Sequence, residues 1–217
     1  NSFRLNPNEP IAARSVYEVR DRFIGTLGYQ TFLFDGYKTS FALFYEGRSG
    51  RPYSWSFLND ANGDGRVNDL LYVPAGPGDV IFTGGAAMEQ AFFDYMRRNP
   101  GLARFAGSVA QPGSERSSWV NAFDIRISQE IPGFFRGHKA EIWLDIQNVG
   151  NLINKDWGRI EEIGFPFGKG VVSFAGIDQA TGKYRYTFNE ANVRDVVLRD
   201  NRGESRWSAQ IGFRYRF

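Results

Sequence analysis

The chain has 217 residues, of which 42% are hydrophobic, 16% aromatic and 23% charged, and its formal net charge is +2. So balanced a charge gives no electrostatic reason to expect nucleic-acid binding. The lack of cysteine excludes disulfides and thiolate-metal sites. No apolar run approaches the ~20 residues of a transmembrane helix.

The first ten residues have neither the basic nor the apolar region of a signal peptide. Residues 1–13 read as a loop, so we expect either a removed signal or a longer native polypeptide. From Arg22 a period of two predicts a strand, Asp35-Gly36 marks a tight turn, and a second strand returns to Arg48.

A connection of about seventy residues, 49–117, follows the first hairpin and is far longer than an ordinary loop. Within it, residues 86–99 have near-helical apolar spacing, and Pro100-Gly101 is a stop signal. Because this connection is rich in aromatic residues, we expect a small folded insert.

The strongest alternation in the chain predicts a third strand over 119–131, joined by a short turn to a fourth over 140–147. A second long connection, 148–204, contains an apparent hairpin around residues 180–182. The last thirteen residues, 205–217, alternate to the final residue and form the fifth predicted strand.

Short and long connections therefore alternate, as do the periplasmic turns and extracellular loops of outer-membrane barrels. In an open sheet, a terminal amphipathic strand would leave an edge of unpaired backbone groups that can pair with other chains, whereas a closed barrel has no such edge. Five strands are fewer than the roughly eight of the smallest closed barrels. We predict an all-β fold in which this chain is an antiparallel transmembrane β-barrel segment, the C-terminal part of a larger barrel, with extracellular loops 49–117 and 148–204.

Four stretches together resemble the C-terminal barrel region of TonB-dependent outer-membrane transporters of the Oar-like branch: residues 41–57, 60–74, 142–158 and 208–217. The resemblance implies a barrel of about 22 strands with a plugged lumen, the plug and TonB box lying outside these residues. It implies a non-enzymatic protein of the bacterial outer membrane that actively transports a bulky substrate (peptide, siderophore or glycan), as an importer or as an exporter of peptide or protein, using energy delivered through TonB.

The final strand also resembles the C-terminal signal that the barrel-assembly machinery reads. The residues carrying that signal alternate along the strand: Ile211, Phe213, Tyr215 and Phe217. The partners implied are therefore outer-membrane lipid, the assembly machinery, TonB through the plug, and an unidentified surface partner or lipoprotein.

An acidic-glycine run matches an EF-hand-type calcium loop at positions 1, 3, 5, 6, 8 and 9. The oxygen donors it offers are Asp60, Asn62, Asp64, the Arg66 carbonyl, Asn68 and Asp69. Position twelve is Leu71 instead of the bidentate glutamate, so Asp69 is the candidate replacement. The alternative is a loop of Asx turns with solvated acids.

Substrate contact is predicted at Arg48, Arg51 and Tyr53, which open the first long loop above the barrel mouth. Charged residues at the polar positions of the strands form either a charged lumen wall or internal salt bridges. The only histidine, His138, adjoins a turn and lacks a nucleophile elbow, so we expect a surface residue and no catalytic triad.

Two rival functions remain open. One is a structural or adhesive outer-membrane barrel that binds partners through its loops, which an upstream plug and TonB box would argue against. The other is a secreted, soluble, calcium-binding β-domain of lectin type, which solubility without detergent would favour.

Overall fold

The computed structural model describes residues 3, 4, 6, 8, 12–34 and 36–217. Most of the loop predicted over 1–13, and Asp35 of the predicted turn, lie outside the described residues. The strands are β1 (Arg22–Phe34), β2 (Tyr37–Arg48), β3 (Pro52–Phe57), β4 (Tyr72–Val73), β5 (Ile81–Phe82), β6 (Ser108–Val109), β7 (Glu115–Arg116), β8 (Val120–Pro132), β9 (Lys139–Gln147), β10 (Glu161–Ile163), β11 (Gly168–Ile177), β12 (Tyr184–Thr187), β13 (Val196–Leu198) and β14 (Ser208–Arg216). The helices are α1 (Gly85–Arg98), α2 (Pro100–Ala103) and α3 (Val149–Ile153), with a 3₁₀ turn at Glu190–Asn192.

The chain divides into two compact units. Unit 1 comprises residues 1–18, 51–117 and 163–197, and unit 2 comprises 19–50, 118–162 and 198–217. None of the described helices is both long and apolar enough to cross a membrane.

Unit 2 is built on a five-stranded antiparallel sheet in the order β1-β2-β8-β9-β14. Its strands have 13, 12, 13, 9 and 9 residues. These are the five predicted strands, and the prediction of a mainly antiparallel β-structure is confirmed. The sheet joins strands that the two long connections separate in the sequence.

The strand register separates the sheet into an apolar and a polar face. One row of paired residues across all five strands is Tyr29, Phe41, Ile127, Leu144 and Ile211. The rows on this side of the sheet are mainly aliphatic and aromatic, because successive side chains of a strand point to opposite faces.

The adjacent row is polar at three of its five positions: Gly28, Ala42, Arg126, Asp145 and Gln210. Both faces arise from the same period of two. The pairing register makes the faces continuous, because a slip of one residue would exchange them.

The apolar face of unit 2 is exposed along much of its area. Tyr29 is 63% exposed, Ile211 77% and Phe213 59%. A contiguous exposed apolar surface of this kind marks a region that contacts another molecule or a membrane. The aromatic residues of the terminal strand therefore do not form a buried core.

Unit 1 has a buried aromatic core of its own. Its main sheet is mixed, in the order β5-β12-β11-β3-β7, and α1 adds Phe92, which is fully buried. The Phe92 ring lies 5.3 Å from that of Phe82 and 5.5 Å from that of Phe188, measured between centroids. Since α1 and β5 come from the first long connection and Phe188 from the second, the two segments fold together.

Two local predictions in unit 1 are confirmed. The hairpin around residues 180–182 is confirmed as β11 and β12, with Gly182 in the left-handed region at φ +71°. The helix predicted over 86–99 is confirmed as α1, which ends at Arg98, just before the predicted stop, and Pro100 begins the separate short helix α2. Proline is favoured in the first helical turn, where its missing N–H costs no hydrogen bond.

Candidate functional site

The polar face of unit 2 lines a concave groove of about 640 Å³. At its centre Arg126 donates two hydrogen bonds to Asp145, of 2.5 and 2.6 Å. Two guanidinium groups lie near the Trp143 ring: that of Arg126 is 5.8 Å from the ring centroid, and that of Arg214 is 5.6 Å from it. The charges at the centre of this groove are therefore paired and held in place.

Acidic residues elsewhere on this face also have cationic partners. Glu46 lies 2.8 Å from Arg22. At the opposite end of the strands, Glu130 lies 3.5 Å from Lys139, and Glu141 lies 3.4 Å from Arg216. The alternation of apolar and polar residues in the sequence predicted that these charged side chains lie on the polar face. Which charges become partners depends on the pairing register of the strands. The paired charges favour internal salt bridges over free carboxylates for acid–base chemistry.

The three residues predicted to meet substrate belong to different units. Arg48 ends β2 in unit 2 and lies 3.7 Å from Glu46. Arg51 belongs to unit 1, where its guanidinium lies 5.6 Å from the centroid of the Tyr17 ring and 5.5 Å from that of Phe167.

Tyr53, on β3, is partly buried against the Trp55 ring, with centroids 5.6 Å apart. Burial, assisted by the negative charge of Glu115, raises the pKa of Tyr53 to about 12. The Tyr53 hydroxyl is therefore neutral at physiological pH. Tyr53 lies on a strand and packs against Trp55, whereas the prediction of substrate contact placed it in a solvated loop.

The predicted calcium loop lies within unit 1 and is tightly turned. The Asp60 carboxylate accepts hydrogen bonds of 2.7 Å from the amides of Gly63 and Gly65. Both glycines have positive φ, +78° and +81°, which a side chain would disfavour. Asp60 thereby fixes the start of the loop.

The side chains of Asn62 and Asp64, the next candidate calcium ligands, also accept hydrogen bonds from the backbone of the loop. The side-chain oxygen of Asn62 accepts one from the Asp64 amide, and the Asp64 carboxylate accepts one from the Arg66 amide, each of 2.9 Å. These are Asx turns, the alternative interpretation of the sequence. Each carboxylate keeps further lone pairs, since two oxygens offer about four acceptor sites.

Asn68 and Asp69 are buried, at 8% and 2% exposure. The Asp69 carboxylate accepts hydrogen bonds from the Ala61 amide, at 2.8 Å, and from the Asn62 side chain. Burial raises the pKa of Asp69, and the nearby Asp60 and Asp64 carboxylates raise it further, although hydrogen bonds oppose this. Asp69 thus folds back onto the loop, as its proposed role as a replacement ligand requires.

Among the described residues, no group of three or more histidine, cysteine, aspartate or glutamate side chains is placed to hold a metal. Any metal bound in this loop would therefore need amide or backbone carbonyl oxygens as well as carboxylates. The residues of loop 60–69 offer oxygen donors only, the type that calcium prefers.

The residues predicted to form the assembly signal lie on β14, with Phe217 immediately after it. Ile211, Phe213 and Tyr215 share the apolar face, and Phe217 is 98% exposed. Tyr215 also contacts the turn after β8, where its hydroxyl lies 2.9 Å from His138 Nδ1. His138 therefore lies at the turn that the sequence predicted, and only the fold brings it into contact with Tyr215.

A cluster of aromatic side chains near the ends of β2 and β8 has no signature in the sequence pattern. Tyr45, Trp119 and Phe123 lie there with Trp157 from the turn after α3. The sequence shows each tryptophan separately, but it does not indicate that Trp119 and Trp157 line the same cavity, because that depends on the fold.

Comparisons with protein-family models, with curated proteins and with solved structures find no match to this chain.

Proposed function

We propose that this chain forms the C-terminal part of an outer-membrane β-barrel, about five strands of a barrel of about 22, belonging to a TonB-dependent transporter. The observation that carries the proposal is the exposed, continuous apolar face of the five-stranded sheet, opposite a face of paired charges. Lipid on the apolar side and a polar lumen on the other is the arrangement that membrane barrels require.

Strand length and sheet edges support the same proposal. Strands of 9 to 13 residues meet the ~9–11 residues that a tilted strand needs to cross a bilayer. Within the described residues, β1 pairs only with β2, and β14 only with β9. Unpaired backbone groups cost several kcal/mol each in hydrocarbon. Further strands must therefore cover both edges of the sheet in a membrane.

The transport function rests on the sequence resemblance of residues 41–74 and 142–158 to Oar-like transporters. In this mechanism the loops capture a bulky substrate, and TonB pulls on a plug to open the lumen. The chain's own contribution is a wall of fixed charge pairs such as Arg126–Asp145, which lines the passage without covalent chemistry.

The test is to fractionate cells that express the native polypeptide containing this chain. We expect it in the outer membrane, with gel mobility that changes on heating, as barrels that resist unfolding by detergent show. Site-specific cross-linking of its N-terminal region to TonB tests the coupling. Recovery in the soluble fraction without detergent would overturn the membrane assignment and favour the lectin-type domain.

A structural or adhesive barrel is the second candidate, and the folded core of unit 1 favours it, since a rigid body presents a defined surface to a partner. Failure of TonB cross-linking combined with outer-membrane recovery would select this candidate over active transport.

We also propose that loop 60–69 binds calcium through Asp60, Asn62, Asp64, the Arg66 carbonyl and the buried pair Asn68 and Asp69. The Asp60 and Asp64 carboxylates lie close enough to Asp69 to raise its pKa, and a cation in the loop would neutralise this repulsion. Extracellular calcium modules bind with dissociation constants of roughly 10⁻⁴–10⁻³ M.

Calorimetric titration of the native polypeptide with calcium chloride, after removal of bound metal by EDTA, tests this site. We expect Asp64→Ala to abolish the binding heat. Asp178→Ala, a change in the separate turn where Asp178 binds Thr181, is the matched control and leaves it unchanged. No heat with the unmodified protein would leave only the Asx-turn interpretation.

A further inference from the structure

A cavity of about 500 Å³ lies in unit 2, beside the ends of β2 and β8. This volume is within the range of small-molecule sites. Part of its lining comes from these two strands and the rest from the segment 150–159. The lining combines aromatic and hydrogen-bonding side chains: Tyr45, Trp119, Asn121, Phe123, Trp157 and Arg159.

The aromatic part of the lining is held in position by a single amide. The Asn121 side-chain oxygen accepts a hydrogen bond of 2.9 Å from the Tyr45 hydroxyl and one of 3.1 Å from the Trp119 indole N–H. The Tyr45 ring also packs against Phe123, with centroids 4.8 Å apart. Fixing rings before a ligand arrives reduces the entropy cost of binding.

The Asn121 amide has a second use. Its oxygen is occupied by two donors, so its NH₂ group is the part available to a ligand. Trp119 and Trp157 remain 41% and 56% exposed. The cavity therefore offers aromatic faces beside a hydrogen-bond donor that is already oriented.

The charges around the cavity disfavour an ionic ligand. Arg159 lies 3.0 Å from Asp156 and 3.3 Å from Glu161. Because the guanidinium already has two carboxylate partners, it is a weak site for a phosphate or carboxylate. Because Asp156 and Glu161 are both paired with this guanidinium, neither is a free counter-charge for an organic cation that the aromatic rings would otherwise attract. A neutral ligand fits best.

We infer that this cavity binds a pyranose ring of a neutral saccharide. A pyranose has an apolar C–H face, which stacks on the Trp119 and Trp157 rings, and a rim of hydroxyls. The Asn121 NH₂ donates to one of those hydroxyls, and the exposed Asp156 carboxylate accepts from another. Tyr45 and Phe123 lie on the apolar face, four residues along their strands from Phe41 and Ile127, so this site is outside the proposed lumen and independent of the TonB-coupled transport proposed above.

The test is calorimetric titration of the native polypeptide with maltose and with di-N-acetylchitobiose. The protein is kept in an amine-oxide detergent, because glycosidic detergents carry the sugar being tested. A second arm uses phosphatidylcholine vesicles with and without monoglucosyl diacylglycerol, which distinguishes a glycolipid headgroup from a free saccharide. Choline chloride and inorganic phosphate are the ionic probes.

We expect saccharide binding in at least one arm, weakened about tenfold or more by Trp157→Ala and by Asn121→Asp. Asn121→Asp keeps the acceptor for Tyr45 and Trp119 but removes the NH₂ donor, so it separates ligand contact from ring positioning. Trp207→Ala, at a tryptophan of similar exposure outside the cavity, is the matched control and binds normally.

Absence of saccharide binding in both arms overturns the inference, as does binding that both cavity variants leave unchanged. Binding of choline or phosphate in place of the saccharides also overturns it. The measurement does not depend on the subcellular location of the protein or on TonB, so its failure is distinguishable from failure of the transport proposal.

Discussion

An arginine scan along β14 tests the lipid-facing assignment at single-residue resolution. The strand runs from Ser208 to Arg216 and is centred on Gly212, so Ile211 and Phe213 flank the midpoint on the apolar face. An arginine on the lipid face costs about 2–4 kcal/mol at the bilayer midplane and about 0–1 kcal/mol near the interfaces. We expect the largest losses at 211 and 213, and small ones at Ala209 and Tyr215.

The assay is reversible unfolding of the native polypeptide in lipid vesicles, with the free energy of unfolding obtained for each variant. Gln210→Arg is the matched control, because Gln210 lies between Ala209 and Ile211 on the polar face and pairs with Asp145. We expect this control to change stability by no more than about 0.5 kcal/mol, as exposed substitutions usually do.

The depth profile is what separates the two interpretations of the exposed apolar face. A water-exposed surface has no midplane, so its four arginine variants would have similar small effects. Equal costs at all four positions, or a cost at Gln210 as large as at Ile211, would falsify the assignment of this face to lipid.

Three further predictions concern packing and ionisation. Phe92→Ala should destabilise unit 1 by about 3–5 kcal/mol, seen as faster amide exchange in α1, whereas Phe165→Ala, at a ring that is 75% exposed, should have little effect. The pKa of Tyr53 is about 12 in the folded protein and about 10 in the unfolded chain. Because folding favours the protonated hydroxyl, this difference stabilises the protein below about pH 10, and the stabilisation is lost as the pH rises toward 12. The Tyr53→Phe variant should lack this decline in the free energy of unfolding. Gly212→Ala would place a Cβ 2.2 Å from the Trp143 ring, so we expect a shift in tryptophan fluorescence and a loss of about 1–3 kcal/mol from overpacking; an unchanged spectrum would contradict the packing described.

Much of unit 2 could be predicted because a strand with one apolar and one polar face has a local signature. The spacing of Ile211, Phe213 and Tyr215 at every second residue is enough to predict that they share one face of the strand. The hairpin around Gly182 was predictable for a similar reason, since its turn residues lie next to one another in the chain. The helix α1 was predictable from its apolar spacing.

Unit 1 could not be predicted as one body from its separate segments. Phe92 and Phe188 lie in different long connections, and neither segment indicates that the other covers it. The pairing of Arg126 with Asp145, and the meeting of Trp119 with Trp157, likewise depend on which strands and turns become neighbours.

By itself, therefore, the sequence determined which stretches form strands and which side of each is apolar, because side-chain alternation depends only on neighbouring residues. Tertiary structure decided the order of the strands, the charge partners on the polar face and the two aromatic clusters around Phe92 and Trp119. Those features are contacts between residues distant in the chain, and no local period encodes the register that brings them together.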